Sequence, residues 1–130
     1  RVGQSMAKLK KTTRIKREKE RLLEIYADLP EETLAIFQGQ IDQASFLKIE
    51  LEDLRDDLEK NGWVELFQNS PSLPAYERDR PLAKQYMKLA SEYRNTIKLL
   101  DDKLAKHNTQ AAEQADGFDS FASVFDESDN

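Results

Sequence analysis

The stretch PEETLAIFQGQIDQASFLKIELEDLRDDLEKNG, Pro30–Gly62, decides the fold. Leu34, Phe37, Ile41, Ala44, Leu47, Leu51, Leu54 and Leu58 recur at steps of 3 or 4 residues. That is the period of one helix face; a strand would alternate by two. Pro30 followed by Glu31 and Glu32 starts a helix well. Proline holds the φ of a first turn, and acids favour the positive end of the helix dipole. Asn61-Gly62 supplies the left-handed C-terminal stop. The spacing predicts a helix over residues 30–60, with Gly39 as its weak point.

Downstream, WVELF (Trp63–Phe67) has β-type residues in alternation, and QNSPS (Gln68–Ser72) is turn chemistry. A small hairpin over Trp63–Tyr76 follows, with Leu73–Tyr76 as the return. Asp79 and Pro81 then open another helix, about residues 80–106. Its Leu82, Tyr86, Leu89, Tyr93, Ile97, Leu100 and Leu104 match the earlier seam in length and period. The two helices are expected to form an antiparallel hairpin with the β element at its tip. Upstream, Thr12 and Thr13 suit the cap of a first helix ending near Asp28. The fold class is mainly all-α.

Composition narrows the function. The chain has 130 residues, 38% hydrophobic and 35% charged, with no Cys. Disulfides, thiolate-ligated zinc and thiol catalysis are excluded, and the absence of Cys fits an intracellular protein. No apolar run is long enough to cross a membrane, so no membrane partner is expected, and no charged-then-apolar leader pattern opens the sequence. There is no GxxxxGK[ST] phosphate loop, and the glycines stand singly. His107 has no Ser or Cys partner at a catalytic spacing. The reading is a non-enzyme, with no catalytic residues, no metal and no cofactor. Asp53 and Asp57 are spaced to share a metal, but a solvated face opposite the Leu seam accounts for them.

The net charge of −5 hides a segregation. Residues 1–23 carry a net +7, residues 24–106 a net −6 and residues 107–130 a net −6. Four segments follow: 1–5, read as a non-native remnant ahead of Met6; 6–29, a basic arm or helix; 30–106, a helical-hairpin oligomerisation domain; and 107–130, an acidic, flexible tail. In the arm, Lys8, Lys10, Lys11, Arg14, Lys16, Arg17, Lys19 and Arg21 are candidates to neutralise duplex DNA phosphates. No aromatic residue is interleaved among them, so stacking on single strands is not supported. Arg80, Lys84 and Lys88, with Lys98, form a second basic stripe on the later helix. Glu50, Glu52, Asp53, Asp56, Asp57 and Glu59 crowd a helix C-terminus against its dipole. Partner cations are expected there, with Arg78, Arg80 or a neighbouring subunit as suppliers.

Phe46 and Ile49 lie off the Leu seam. They are placed either to pack beneath the N-terminal helix or, with Trp63, to form a subunit interface, because a two-helix hairpin buries little and favours homo-oligomers. In the tail, Phe118, Phe121, Val124 and Phe125 among acids have the pattern of an amphipathic docking segment.

The stretches QASFLKIELEDLRDDLEKNGW (Gln43–Trp63) and PLAKQYMKLASEYRNTIKLL (Pro81–Leu100), with the polar turn between them, resemble the small terminase subunits of tailed bacteriophages. The resemblance spans about residues 30–106 and rests on the pattern and order of elements. The helix-turn-helix that some members carry at the N-terminus is not evident. The resemblance implies a ring that engages double-stranded viral DNA in the cytoplasm of the infected bacterium. It also implies recruitment of the large terminase subunit, the ATPase-nuclease of packaging, with the Phe118–Phe125 segment reaching it. Two other classes fit the residues alone: a dimeric, antitoxin-like DNA-binding regulator, and a coiled-coil scaffold that binds only protein.

Overall fold

The computed structural model describes the backbone of residues 2–128 and the side chains of residues 10–117. It is mainly helical. Helix α1 spans Val2–Ile25, α2 Glu31–Ile36, α3 Gln38–Asn61 and α4 Pro81–Ser128, with strands β1 (Val64–Phe67) and β2 (Tyr76–Asp79) between α3 and α4. The strands form a two-stranded antiparallel sheet, with Val64 opposite Asp79 and Phe67 opposite Tyr76.

The expected antiparallel hairpin of α3 and α4, tipped by the β element, is present. Gly62 ends α3 with φ +88° and ψ 166°, and its N–H donates to the Leu58 carbonyl at 2.8 Å. That backbone region is open essentially to glycine alone. The Arg80 N–H donates to the Trp63 carbonyl at 2.9 Å and closes the base of the β hairpin.

Four boundaries differ from the sequence reading. First, α1 runs through Thr12 and Thr13 rather than starting there, because Met6–Lys11 are good helix formers. It also stops at Ile25, where Leu29 N–H turns back to the Tyr26 carbonyl at 3.0 Å. Second, the long helix is interrupted at Phe37, whose φ −90° and ψ 8° leave helical values. Phe37 packs against the core, and Gly39 nearby weakens the local helix. The bonds Phe37 N–H to Thr33 and Ile41 N–H to Phe37 persist across the joint. Third, the return strand is Tyr76–Asp79, not Leu73–Tyr76. Residues 68–75 form a longer loop, with the Gln68 amide donating to the Leu73 carbonyl at 2.6 Å. Fourth, the backbone of residues 107–128 continues α4 instead of leaving the helix. Gln110, Ala111, Ala112 and Gln114 have high helix propensity, and no proline follows.

The core is built by three helices. Leu22 of α1 and Tyr26 and Leu29 just after it bury against Ile41 and Ala44 of α3 and Leu100 of α4. Leu34, Phe37, Tyr93, Ile97 and Leu104 surround them. Burial of each large side chain contributes about 1.5–3 kcal/mol. Tyr26 is 2% exposed, and its hydroxyl donates to Asp101 Oδ1 at 2.5 Å. Burial, aided by this carboxylate, raises the phenol pKa and keeps the donor protonated.

Candidate nucleic-acid interface

The docking of α1 against α3 sorts the basic arm. Charge pairs run along the contact in antiparallel order. Lys11 pairs with Glu50 and lies 3.8 Å from Asp53. Arg14 donates to Asp53 at 2.8 Å and to Glu52 at 2.7 Å. Farther along α1, Lys19 reaches Asp42 at 2.7 Å. Glu18, 8% exposed, sits between Arg21 of its own helix and Lys48 of α3, the latter at 3.7 Å. The carboxylates of Asp53 and Glu52 push the Arg14 pKa further up, and Glu18 does the same for Arg21.

Five of the six crowded acids at the end of α3 therefore have cation partners: the basic arm serves Glu50, Glu52 and Asp53, and Arg55 of α3 itself serves Glu59. Arg80 supplies another: it donates to Asp57 at 3.0 Å and to the Gly62 carbonyl at 2.8 Å. Asn61 also donates to Asp57, and together they hold that carboxyl below the usual carboxylate value. Arg78 pairs instead with Glu65 across the hairpin at 2.9 Å and lies over the Phe67 ring. Asp53 and Asp57 serve different partners and do not converge, and no metal-ligand cluster occurs among the described residues. Arg80, expected in an open basic stripe, is tied to α3 and the turn; Lys84 and Lys88 are exposed on α4.

What remains on the outside of α1 is a cationic strip. Lys10, Arg14, Arg17 and Arg21 are 4, 3 and 4 residues apart and share one flank of the helix, about 16 Å long at the helical rise. Lys10 and Arg17 are exposed and make no ion pair among the described residues. Arg14 and Arg21 keep 35% and 47% of their side chains exposed beside their acid partners. Lys16 is exposed on the other flank. The side chain of Lys8 lies outside the described residues.

The proposed subunit-interface residues separate. Phe46 and Trp63 are exposed at 45% and 42%. Ile49 is only 4% exposed; α3 turns it inward within the chain, so it is unavailable to a neighbour. Of the two places the sequence allowed for this off-seam set, Ile49 takes the one beneath the N-terminal helix, because α1 packs on α3. The side chains of Phe118, Phe121, Val124 and Phe125 lie outside the described residues, although their backbone is helical. No helix among the described residues is long and apolar enough to cross a membrane.

Comparison of the chain with protein-family models, with curated proteins and with solved structures finds no match.

Proposed function

We propose that this chain is a non-catalytic, self-assembling adaptor that binds double-stranded DNA, of the small-terminase kind, and that it presents DNA to a packaging ATPase-nuclease. The observation that carries the reading is the cationic strip on α1. The chain has 25 acids against 20 Lys and Arg, yet Lys10 and Arg17 stand exposed on one flank with no ion pair among the described residues. The acids that would cancel the arm's field lie behind it, on α3. A strip of this kind contacts phosphates and reads little sequence. The order of elements in residues 30–106, the exposed apolar tip and the helical, acid-rich end of α4 support the assembly and docking parts of the reading. On it, the Phe118–Phe125 segment engages the large subunit.

The test is a titration of duplex DNA at several salt concentrations with the wild type and with Lys10→Glu/Arg17→Glu. Both positions are exposed, so the fold is retained. Loss of two phosphate contacts lowers the slope of log K against log salt by about 1.8. An unchanged affinity and slope would remove α1 as the DNA contact. Native mass spectrometry then separates a many-membered ring from the two or four subunits of a regulator.

A further inference from the structure

Much of the large apolar surface left open gathers at one end of the molecule. Trp63, Val64, Leu66, Leu73 and Met87 are all at least two-fifths exposed, Leu66 at 74% and Met87 at 64%. The pairing register sets Leu66 opposite Glu77 and Val64 opposite Asp79, so these four share one face of the β hairpin. The other face satisfies itself: Arg78 pairs with Glu65 and lies over Phe67, whose ring meets Tyr76 edge-on at 5.9 Å. Beside the open face is a groove of about 340 Å³ lined by Trp63, Asp79, Ala83, Lys84 and Met87.

The rim of this patch carries charge of both signs. Glu77 and Asp79 lie on β2, and Lys84 and Lys88 on the first turns of α4. None of the four forms an ion pair among the described residues. A polyanion is disfavoured here, because the two acids stand beside the two lysines. A partner of one charge sign would meet repulsion from half of the rim. A second copy of this chain would not: its acids can meet these lysines while its lysines meet these acids, with apolar side chains between. Both strands also have an open outer edge, and a lone hairpin of four-residue strands is marginal until something packs on it.

We infer that the hairpin tip is where one copy docks on the next: Val64 and Leu66 of one chain seat at the Trp63–Met87 groove of the other, and Glu77 meets Lys84 across the contact. This rests on the self-assembly proposed above and names its surface. It also assigns Lys84 to the interface rather than to DNA.

The test uses the full chain and native mass spectrometry with sedimentation. Leu66→Arg places a charge on the open face without touching the core and is expected to dissociate the assembly. Glu77→Lys and Lys84→Glu are each expected to weaken it about tenfold or more by setting like charges together. The double variant Glu77→Lys/Lys84→Glu restores the opposite-sign pairing and is expected to return within about threefold of wild type. Circular dichroism checks that each variant keeps its helix content. An assembly left intact by Leu66→Arg and by both single reversals overturns the inference while self-assembly stands. A double variant as weak as the singles overturns the Glu77–Lys84 contact. A wild type that stays monomeric at tens of micromolar leaves the tip to a different protein and overturns both.

Discussion

Neutralising the acids that hold the front of α1 should free that half of the helix and leave the rest in place. Between residues 10 and 17, Ile15 is the sole apolar residue of α1; the buried Leu22 and Tyr26 come later. The front half is therefore held by Lys11 on Glu50 and Asp53, and by Arg14 on Glu52 and Asp53. Lys11 and Arg14 keep 38% and 35% of their side chains exposed, so solvent screens these pairs. Each is then worth about 0.2–1 kcal/mol, and the four together about 1–4 kcal/mol. In Glu50→Gln/Glu52→Gln/Asp53→Asn, hydrogen exchange of the amides of residues 11–18 should accelerate roughly tenfold for each 1.4 kcal/mol lost. The amides of residues 22–26, anchored in the apolar core, should not change. Raising salt toward 1 M, where the screening length falls to about 3 Å, should reproduce part of the effect in the wild type. The same variant should bind duplex DNA more tightly, because Lys11 and Arg14 no longer have an internal competitor. Equal exchange of residues 11–18 in variant and wild type would show that the ion pairs do not hold the arm.

Four further outcomes follow from single positions. Gly62→Ala should destabilise by about 1–3 kcal/mol in a denaturant melt, because its φ of +88° strains any side chain even though the added methyl group meets only the Val64 carbonyl at 3.8 Å. Gly39→Ala should move the other way, by about 0.5–1 kcal/mol, since it lies in a helix with open space around it. Tyr26→Phe should cost about 1–2 kcal/mol in the same melt, losing the hydroxyl donated to Asp101 while keeping the buried ring. Asp57 has its pKa lowered by Asn61 and Arg80, so its contribution is present above the ordinary 3.8 and is lost as pH falls through the lower folded value. Acid titration of thermal stability should therefore show a smaller loss for Asp57→Asn than for wild type below about pH 4.

The paired helices were legible because their signal is one of period. Leu47, Leu58 and Leu100 fall on the two apolar seams and are buried where the 3-and-4 spacing puts them. Gly62 was legible as a stop because glycine there has a backbone reason. The joint at Phe37 was not, since Phe37 keeps the seam in register while only its backbone angles depart. The end of α4 was misread because low apolar content says that a segment lacks a core, not that it lacks helix; Ala111 and Ala112 supply propensity without burial. The position of β2 depended on a loop whose length the turn residues did not fix.

The candidate site shows a different limit. Both halves of the α1–α3 contact were visible as charge: a basic arm, and acids crowded where the helix dipole opposes them. Taken alone, the arm pointed to phosphates, and the acids to Arg78, Arg80 or a neighbouring subunit rather than to the arm. The structure brings them together, and the consequence for function is subtractive. Lys11 and Lys19 are turned to α3, Arg80 is held by Asp57, and Lys84 stands among acids at the tip. A count of basic residues overstates the surface that can meet a phosphate. The residues left for that contact lie on one flank of one helix, Lys10 and Arg17 in the open with Arg14 and Arg21 beside them. If the adaptor reading holds, charge reversal on that flank must weaken DNA binding far more than reversal at Lys84. The apolar tip must respond in the opposite sense, losing assembly before it loses DNA.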